Sequence, residues 1–337
     1  MARPSEEFLL AWSSISCDDD IPGWQAISLP SAGPVEVQAG RRSPDNLEAI
    51  LFCFPTATLP RAERLPEGKG FLVEKVDSTG QGGLRLALTR QAAGSTDLFA
   101  AMTCDVVGAL DDAAADGALE SRLLRVLVGR VVAWQQFMSR GAIPLGAEAE
   151  LGLVGELYFM TVLLDSGVSS ESTMKGWVGP DDAAQDFLLG DGAIEVKATM
   201  SSSGFHVKIG SLEQLDDAVA SPLFLAAVRF ARGEAGLTLP EIVAEVERRL
   251  NNEPGATDFL RQRLIVAGYS ETHAGLYTRR FEPKERRILS ISEGFPRLTS
   301  ATVPVGVTRA LYEINLDHAG DFITDLGAAL EKLGVTG

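Results

Sequence analysis

The period of hydrophobic and polar positions changes along the chain and divides it into segments. Over the first 112 residues short apolar runs alternate with Gly, Pro, Ser and Asp clusters: Val35–Gln38, Ala49–Phe54, Gly70–Val76 and Leu84–Leu88. Their β-branched and aromatic residues predict strands joined by turns. From Ala118 to Ser139 the spacing becomes helical. Leu119, Leu123, Leu124, Leu127, Val128, Val131, Val132 and Phe137 recur three and four residues apart, which makes one long amphipathic helix with Trp134 beside its apolar stripe. Gly141-Ala-Ile-Pro144 interrupts it, and a second helix is expected over Glu148–Leu164.

Residues 175–230 read as strands again, with Asp186–Leu189, Ala193–Ala198, Phe205–Ile209 and Leu223–Phe230 as candidates. Ser211 is placed to N-cap a short helix through Asp216. Helices are then expected over Leu239–Leu250 and Thr257–Ala267, strands over Arg287–Ile291 and Ala310–Leu316, and a terminal helix over Ala319–Leu333. The expected organisation is a β-rich domain (1–115), a helical connection (116–145), a core (146–235) and a C-terminal α/β extension (236–337). No internal repeat interrupts it.

One segment carries chemistry: Gln185-Asp186-Phe-Leu-Leu-Gly-Asp-Gly-Ala-Ile-Glu195-Val-Lys197. Gly190-Asp191 suits a two-residue type II′ turn. Paired residues then sum to 381, so Asp186 faces Glu195, Phe187 faces Ile194 and Leu188 faces Ala193. Alternation puts Asp186, Glu195 and Lys197 on one face and Phe187, Ile194 and Val196 on the other. Cross-strand Cβ atoms lie ~5 Å apart. Two carboxylates that close repel unless a cation sits between them.

Composition narrows that cation. His206, His273 and His318 are isolated, and Cys17, Cys53 and Cys104 form no CxxC or Cys/His pair, so they read as reduced thiols. Oxygen donors alone select a hard ion, Mg²⁺ or Mn²⁺. Such an ion would polarise a phosphoryl oxygen, while Lys197 orients the attacking water or stabilises developing charge.

The spacing Asp-(x)8-Glu-x-Lys on a hairpin resembles the PD-(D/E)XK nuclease superfamily of restriction, recombination and repair nucleases. A bacterial family known as PD-(D/E)XK motif proteins is similar over roughly residues 150–300, through Gly152-Leu-Val-Gly-Glu156-Leu, Trp177-Val-Gly-Pro180, Gln185-Asp186-Phe, Ile194-Glu-Val-Lys197, Glu213-Gln214-Leu and Glu293-Gly-Phe-Pro-Arg297. The resemblance implies an α/β, restriction-endonuclease-like core with a central mixed sheet flanked by helices. It implies Asp186, Glu195 and Glu156 as metal ligands, Lys197 as the catalytic lysine and Gln214 as an auxiliary site residue. Two departures qualify the match: the Pro-Asp dipeptide stands at Pro180-Asp181 rather than at the hairpin aspartate, and no tyrosine follows Gln214 by four residues.

What the resemblance implies functionally is Mg²⁺-dependent hydrolysis of DNA phosphodiester bonds in restriction or phage defence, with protein partners and a homodimer as companions. A second reading stays open: a noncatalytic interaction subunit of a defence complex that keeps the fold. It gains from the charge balance, because 30 Lys and Arg against 46 Asp and Glu leave the 337-residue chain at −16, a poor sign for nonspecific nucleic-acid binding. Residues 245–310 depart from this, with eleven Lys and Arg against eight Asp and Glu, including Arg248-Arg249, Arg279-Arg280 and Arg286-Arg287. No apolar run reaches the ~18 residues a membrane span needs, and Met1–Glu7 lacks signal-peptide order, so a cytoplasmic location without membrane contact is expected.

Overall fold

A computed structural model describes residues 5–15, 23–59, 65–76, 83–181, 183–250 and 255–335. The chain divides into two compact units, Met1–Ile143 and Pro144–Gly337. Cys17 lies outside the described residues. Among the described residues no helix is long and apolar enough to cross a membrane.

The first unit begins with α1 (Ser5–Ser13) and strands β1 (Gly23–Ala32), β2 (Val35–Ser43), β3 (Leu47–Phe54), β4 (Glu67–Gly68), β5 (Phe71–Lys75) and β6 (Leu84–Arg90). They form a six-stranded antiparallel sheet in the order β1-β2-β3-β6-β5-β4. Two helices follow, α2 (Thr96–Ala115) and α3 (Glu120–Ser139), which pack on one another. The helix α2 corrects the expectation that the strand-rich pattern runs to residue 112. Its signal is local: Ser95 accepts a hydrogen bond from the Leu98 amide, and Phe99, Met102, Val106, Leu110 and Ala113 bury one stripe. Trp134 is core, donating its indole N–H to Asp105 at 2.8 Å.

The second unit holds α4 (Ala147–Asp165), α5 (Ser170–Gly176), β7 (Phe187–Leu189), β8 (Gly192–Thr199), β9 (His206–Ile209), β10 (Leu223–Ala231), α6 (Leu239–Leu250), α7 (Ala256–Val266), β11 (Glu282–Ile291), β12 (Tyr312–Asn315), β13 (Ile323–Thr324) and α8 (Leu326–Leu333). Its five-stranded sheet runs β13-β11-β10-β8-β7, with β8 and β10 parallel and the other neighbours antiparallel. Ile194, Val196, Phe224, Ala226 and Val228 face a core filled from α4, α6 and α7. Ala193, Leu223, Leu225 and Ala227 face the opposite way, onto Phe205, Val207, Ile209 and Ile314 of the β9–β12 pair and its flanks. This is the α/β, restriction-endonuclease-like arrangement, a mixed sheet with helices packed against it.

Two expected helices are corrected. Residues 211–216 form turns, because tertiary bonds take the groups a helix would use. Gln185 Nε2 donates to the Glu213 carbonyl at 2.9 Å, the Gly210 amide donates to Gln214 Oε1 at 2.8 Å, and Leu215 is buried in the core. A six-residue segment has too few helical bonds of its own to compete. The terminal helix begins at Leu326 rather than Ala319, with Asp325 as its N-cap, while Ile323 and Thr324 pair with Leu289 and Ile288.

The hairpin register is the one derived from the turn: Phe187 pairs with Ile194, Leu188 with Ala193 and Leu189 with Gly192. Gly190 has φ +54°, and a methyl group there would lie 1.8 Å from the Leu333 carbonyl oxygen at the end of α8. The Asp191 amide donates to that same carbonyl at 3.0 Å, so turn and helix end are built together. Gly190→Ala combines a left-handed backbone with overpacking and should cost about 3 kcal/mol. Gly152→Ala, in α4 with nothing within 4 Å of the new methyl, should be neutral or stabilising. Urea denaturation of both variants measures the contrast, and equal stabilities would refute this account of the turn.

Candidate active site

Three chain segments converge at the open end of the β7–β8 hairpin. Helix α4 brings Glu156. Its approach depends on Gly155, where a methyl would stand 2.7 Å from Ala198 Cβ of β8. The hairpin brings Glu195 and Lys197 from β8 and Asp186 from the residue preceding β7. The third segment runs from Trp177 through a 3-10 turn, Gly179–Asp181.

Asp186 stands outside the strand ladder, so its predicted cross-strand pairing with Glu195 is replaced by something more specific. Its carbonyl accepts from the Val178 and Gly179 amides at 2.8 and 3.0 Å, which turns the backbone away from β8. Its carboxylate Oδ2 instead accepts the Val196 amide at 2.8 Å, a side chain closing the ladder where the strand has ended. The other oxygen, Oδ1, lies 2.9 Å from the position a methyl would take on Gly179, and Glu156 Oε2 lies 3.0 Å from that position. The two carboxylate oxygens are therefore no more than 5.9 Å apart, the sum of those distances.

Glu156 Oε2 also accepts the indole N–H of Trp177 at 2.8 Å. Trp177 is fully buried, which excludes base stacking and makes it both a packing residue and the donor that aims Glu156. Sequence reasoning missed this second role. Arg263 holds the same segment, donating to the Trp177 carbonyl and to Asp181 Oδ2, the latter at 2.6 Å. Asp181, half-exposed and paired with Arg263, is thus occupied elsewhere, and of the two candidate aspartates it is Asp186 that joins the cluster.

Glu195 has no accessible surface, and neither of its carboxylate oxygens makes a hydrogen bond. Lys197 Nζ lies 2.5 Å from Oε1 in an ion pair. Burial first, then Asp186 and Glu156, push the Glu195 carboxyl well above its ordinary value against the pull of Lys197. Burial and Asp186 push Glu156 up to about 8, opposed by Trp177, Lys197 and Arg263. Burial also raises Asp186, opposed by Lys197 and the Val196 amide. Burial opposes the charge on Lys197, but Glu195, Asp186 and Glu156 together raise its pKa. Three carboxylates thus share one ammonium, Glu195 fully buried and the others half-buried at the cleft wall, an arrangement whose repulsion a further cation would relieve.

The donor set is all oxygen, with two orphaned oxygens on Glu195, and so fits a hard divalent ion held by Asp186, Glu195 and Glu156. In the geometry described Asp186 accepts the Val196 amide, Glu156 accepts the Trp177 indole and Glu195 is ion-paired with Lys197, and among the described residues no three His, Cys, Asp or Glu side chains are drawn into a ready-made metal centre.

Glu156, Asp186 and Lys197 line a cleft of about 1160 Å³, into which Gln214, His206, Lys208 and the connection around Ser201 also face. His206 and Lys208 meet Glu313 at 2.8 Å and Glu148 at 3.0 Å on the exposed rim. Gln214 lines the cleft with its side-chain oxygen taken by the Gly210 amide. Arg297 does not reach it. That side chain donates to the Leu215 carbonyl at 2.6 Å and pairs with Asp217. Tyr158 and Phe159 pack edge-on against Phe230 and Phe187, as expected of core residues.

Residues 9–317 match the family model described as "Putative PD-(D/E)XK family member, (DUF4420)". The chain belongs to this family. No curated protein and no solved structure matches it. The match spans both units, so the PD-(D/E)XK family defined by this model includes the N-terminal sheet as well as the hairpin unit. It makes the chain nuclease-like in family and fold.

The raised carboxyls have a measurable consequence. A carboxyl whose folded pKa lies above its unfolded value binds protons more tightly when folded, so it contributes stability at low pH that is lost as pH rises. For Glu156 the window runs from about 4.5 to about 8. In EDTA, Tm should fall between pH 5 and pH 8.5, and Glu156→Gln should flatten that fall. Mg²⁺ or Mn²⁺, which binds the ionised forms, should raise Tm more at pH 8 than at pH 6. Thermal melts across pH with and without metal check all three.

Proposed function

We propose that this protein is a divalent-metal-dependent phosphodiesterase acting on DNA, with Asp186, Glu195 and Glu156 as metal ligands and Lys197 as the catalytic cation. The observation carrying this reading is the convergence of three carboxylates with raised pKa values and one lysine beside an open cleft. Mg²⁺ or Mn²⁺ bound there would polarise the phosphoryl oxygen and acidify the attacking water. Lys197, once released from Glu195, faces the cleft as a charged ammonium able to orient that water or stabilise charge on the phosphate. Trp177 keeps Glu156 aimed at the shared position, and the Val196 amide fixes Asp186. Gln214 serves as an auxiliary residue on the cleft wall.

One such centre cuts one strand. Cleavage of both strands of a duplex therefore calls for a second copy of the chain. The restriction or phage-defence setting rests on the family resemblance, and the cytoplasmic location on the lack of a long apolar run and of signal-peptide order in the sequence.

The noncatalytic reading, a subunit that keeps the fold for interaction, is favoured by one observation: Glu195 has no accessible surface and Lys197 is locked against it. Cleavage assays decide between the two. Labelled linear, supercoiled and branched DNA is incubated with Mg²⁺ or Mn²⁺ and with wild type, Asp186→Ala, Glu195→Ala or Lys197→Ala. The expected outcome is metal-dependent cutting by wild type, with rates roughly 10²- to 10³-fold lower in each variant, a loss typical of removing a transition-state electrostatic contact. Wild type as inert as the variants, although folded by circular dichroism, would establish the interaction reading.

A further inference from the structure

The proposed chemistry leaves open how a chain of net charge −16 holds a polyanion. The arginine pairs of the basic stretch separate sharply once placed in the fold. Arg248 and Arg249 lie on α6 in ion pairs with Glu245 and Asp165, and Arg287 is paired with Glu285 and Asp317. Arg279 and Arg280, by contrast, line the cleft that contains Lys197, and Arg232 joins them. A second hollow of about 600 Å³ shares Met200, Ser201 and Arg232 with that cleft, so the groove continues past the end of β10.

The three arginines are held differently from the other cations of this groove. Arg229 and Lys284 line the second hollow but are paired with Glu285 and Glu282. Arg232 has no ion-pair or hydrogen-bond partner among the described residues and is exposed. Arg280 donates to the Gly236 carbonyl at 2.6 Å, and its contact with Glu241 is a loose 3.3 Å at the surface. Arg279 uses Nε and Nη2 on one oxygen of Glu150, both at 2.5 Å, while 42% of its side chain stays exposed. Glu150 itself has no accessible surface, so it anchors the guanidinium from below. The Leu145 amide donates to Tyr277 Oη at 3.0 Å, and Leu237 and Phe281 exchange backbone bonds. These contacts fix the 278–280 loop on both sides.

We infer that Arg279, Arg280 and Arg232 form a backbone-phosphate track that holds the DNA strand flanking the scissile phosphate. This deepens the phosphodiesterase reading and rests on it. Fixed, cleft-facing guanidinium groups match phosphate in geometry as well as charge, because their planar donor forks contact two oxygens at once. The position fits too, since the track lies beyond the C-terminal ends of the parallel strands β8 and β10, where open α/β sheets receive ligands.

Binding of a labelled duplex is measured by fluorescence anisotropy over a range of salt, with Ca²⁺ as the divalent ion and the same samples checked for cleavage. Wild type is compared with Arg232→Ala, Arg279→Ala, Arg280→Ala and the outer-helix control Arg248→Ala, all verified by thermal melting. Arg232→Ala is the cleanest variant, because that side chain supports no contact in the fold. Each track variant should bind roughly 5-fold more weakly, and the slope of log K against log salt should fall by roughly 0.9, one phosphate contact. Arg248→Ala should match wild type. Wild-type affinity and slope in all track variants would overturn the track and leave the catalytic reading standing. Equal losses in Arg248→Ala would also overturn it, by reducing the effect to overall charge. Wild type that binds no duplex would overturn the track together with the DNA reading.

Discussion

Glu195 stands on a central strand with its side chain fully buried, so its carboxylate is cut off from solvent. The chain must either neutralise that charge or surround it with cations, and it supplies one ammonium, Lys197, two residues along the same strand. Asp186 and Glu156 then compete for the same positive charge. At a separation of no more than 5.9 Å, two ionised carboxylates repel by at least roughly 3 kcal/mol at an effective dielectric near 20. Burial comes first in raising all three carboxyls, Asp186 adds to it at Glu156 and Glu195, and the pull of one lysine does not cancel the sum. Natural cores avoid this arrangement unless something else is meant to occupy it.

The surrounding fold holds this cluster under tension rather than relaxing it. Gly155 lets α4 approach β8 closely enough that Glu156 cannot retreat, and Trp177 clamps its oxygen. Arg263 in turn pins the Trp177 segment through its backbone carbonyl. The Gly190 turn, locked to the end of α8, sets the register that delivers Glu195 and Lys197 to the same face. Each restraint comes from a different part of the unit, including segments beyond residue 236, so the site is a property of the whole unit rather than of the hairpin alone.

This also explains what the sequence could and could not convey. Register, turn and face were legible, because a two-residue glycine turn and strict alternation leave one solution, and Ile194 and Val196 do pack into the helical core. Asp186 and Glu156 were legible as partners in kind but not in geometry. The backbone bonds that twist Asp186 out of the ladder come from Val178 and Gly179, which no local pattern announces. Trp177 stands in the sequence only as part of a motif, and its indole N–H found Glu156 only through the fold. The failed helix at Ser211 shows the same limit, since local capping was outcompeted by Gln185 reaching from 28 residues away. The missed helix at Thr96–Ala115 is different in kind. Its N-cap and apolar stripe are local, and the β-rich pattern before it masked them.

Net charge was the feature most open to misreading. A value of −16 describes the whole chain, whereas a ligand in the cleft responds to the few groups within a Debye length, about 10 Å at 0.1 M salt. Most arginines of the basic stretch are spent on ion pairs at the periphery, as Arg248 with Glu245 shows. Of those lining the groove, Arg279 is held through its guanidinium by Glu150, Arg280 by the Gly236 carbonyl, and Arg232 has no partner among the described residues. The groove gathers Lys197, Arg232, Arg279 and Arg280 within a chain that is acidic overall. Low-dielectric walls concentrate the field inside it. On this view the acidity of the chain disfavours promiscuous binding while leaving the productive approach open, and the same composition that argued against a DNA ligand becomes a reason for it to enter at one place.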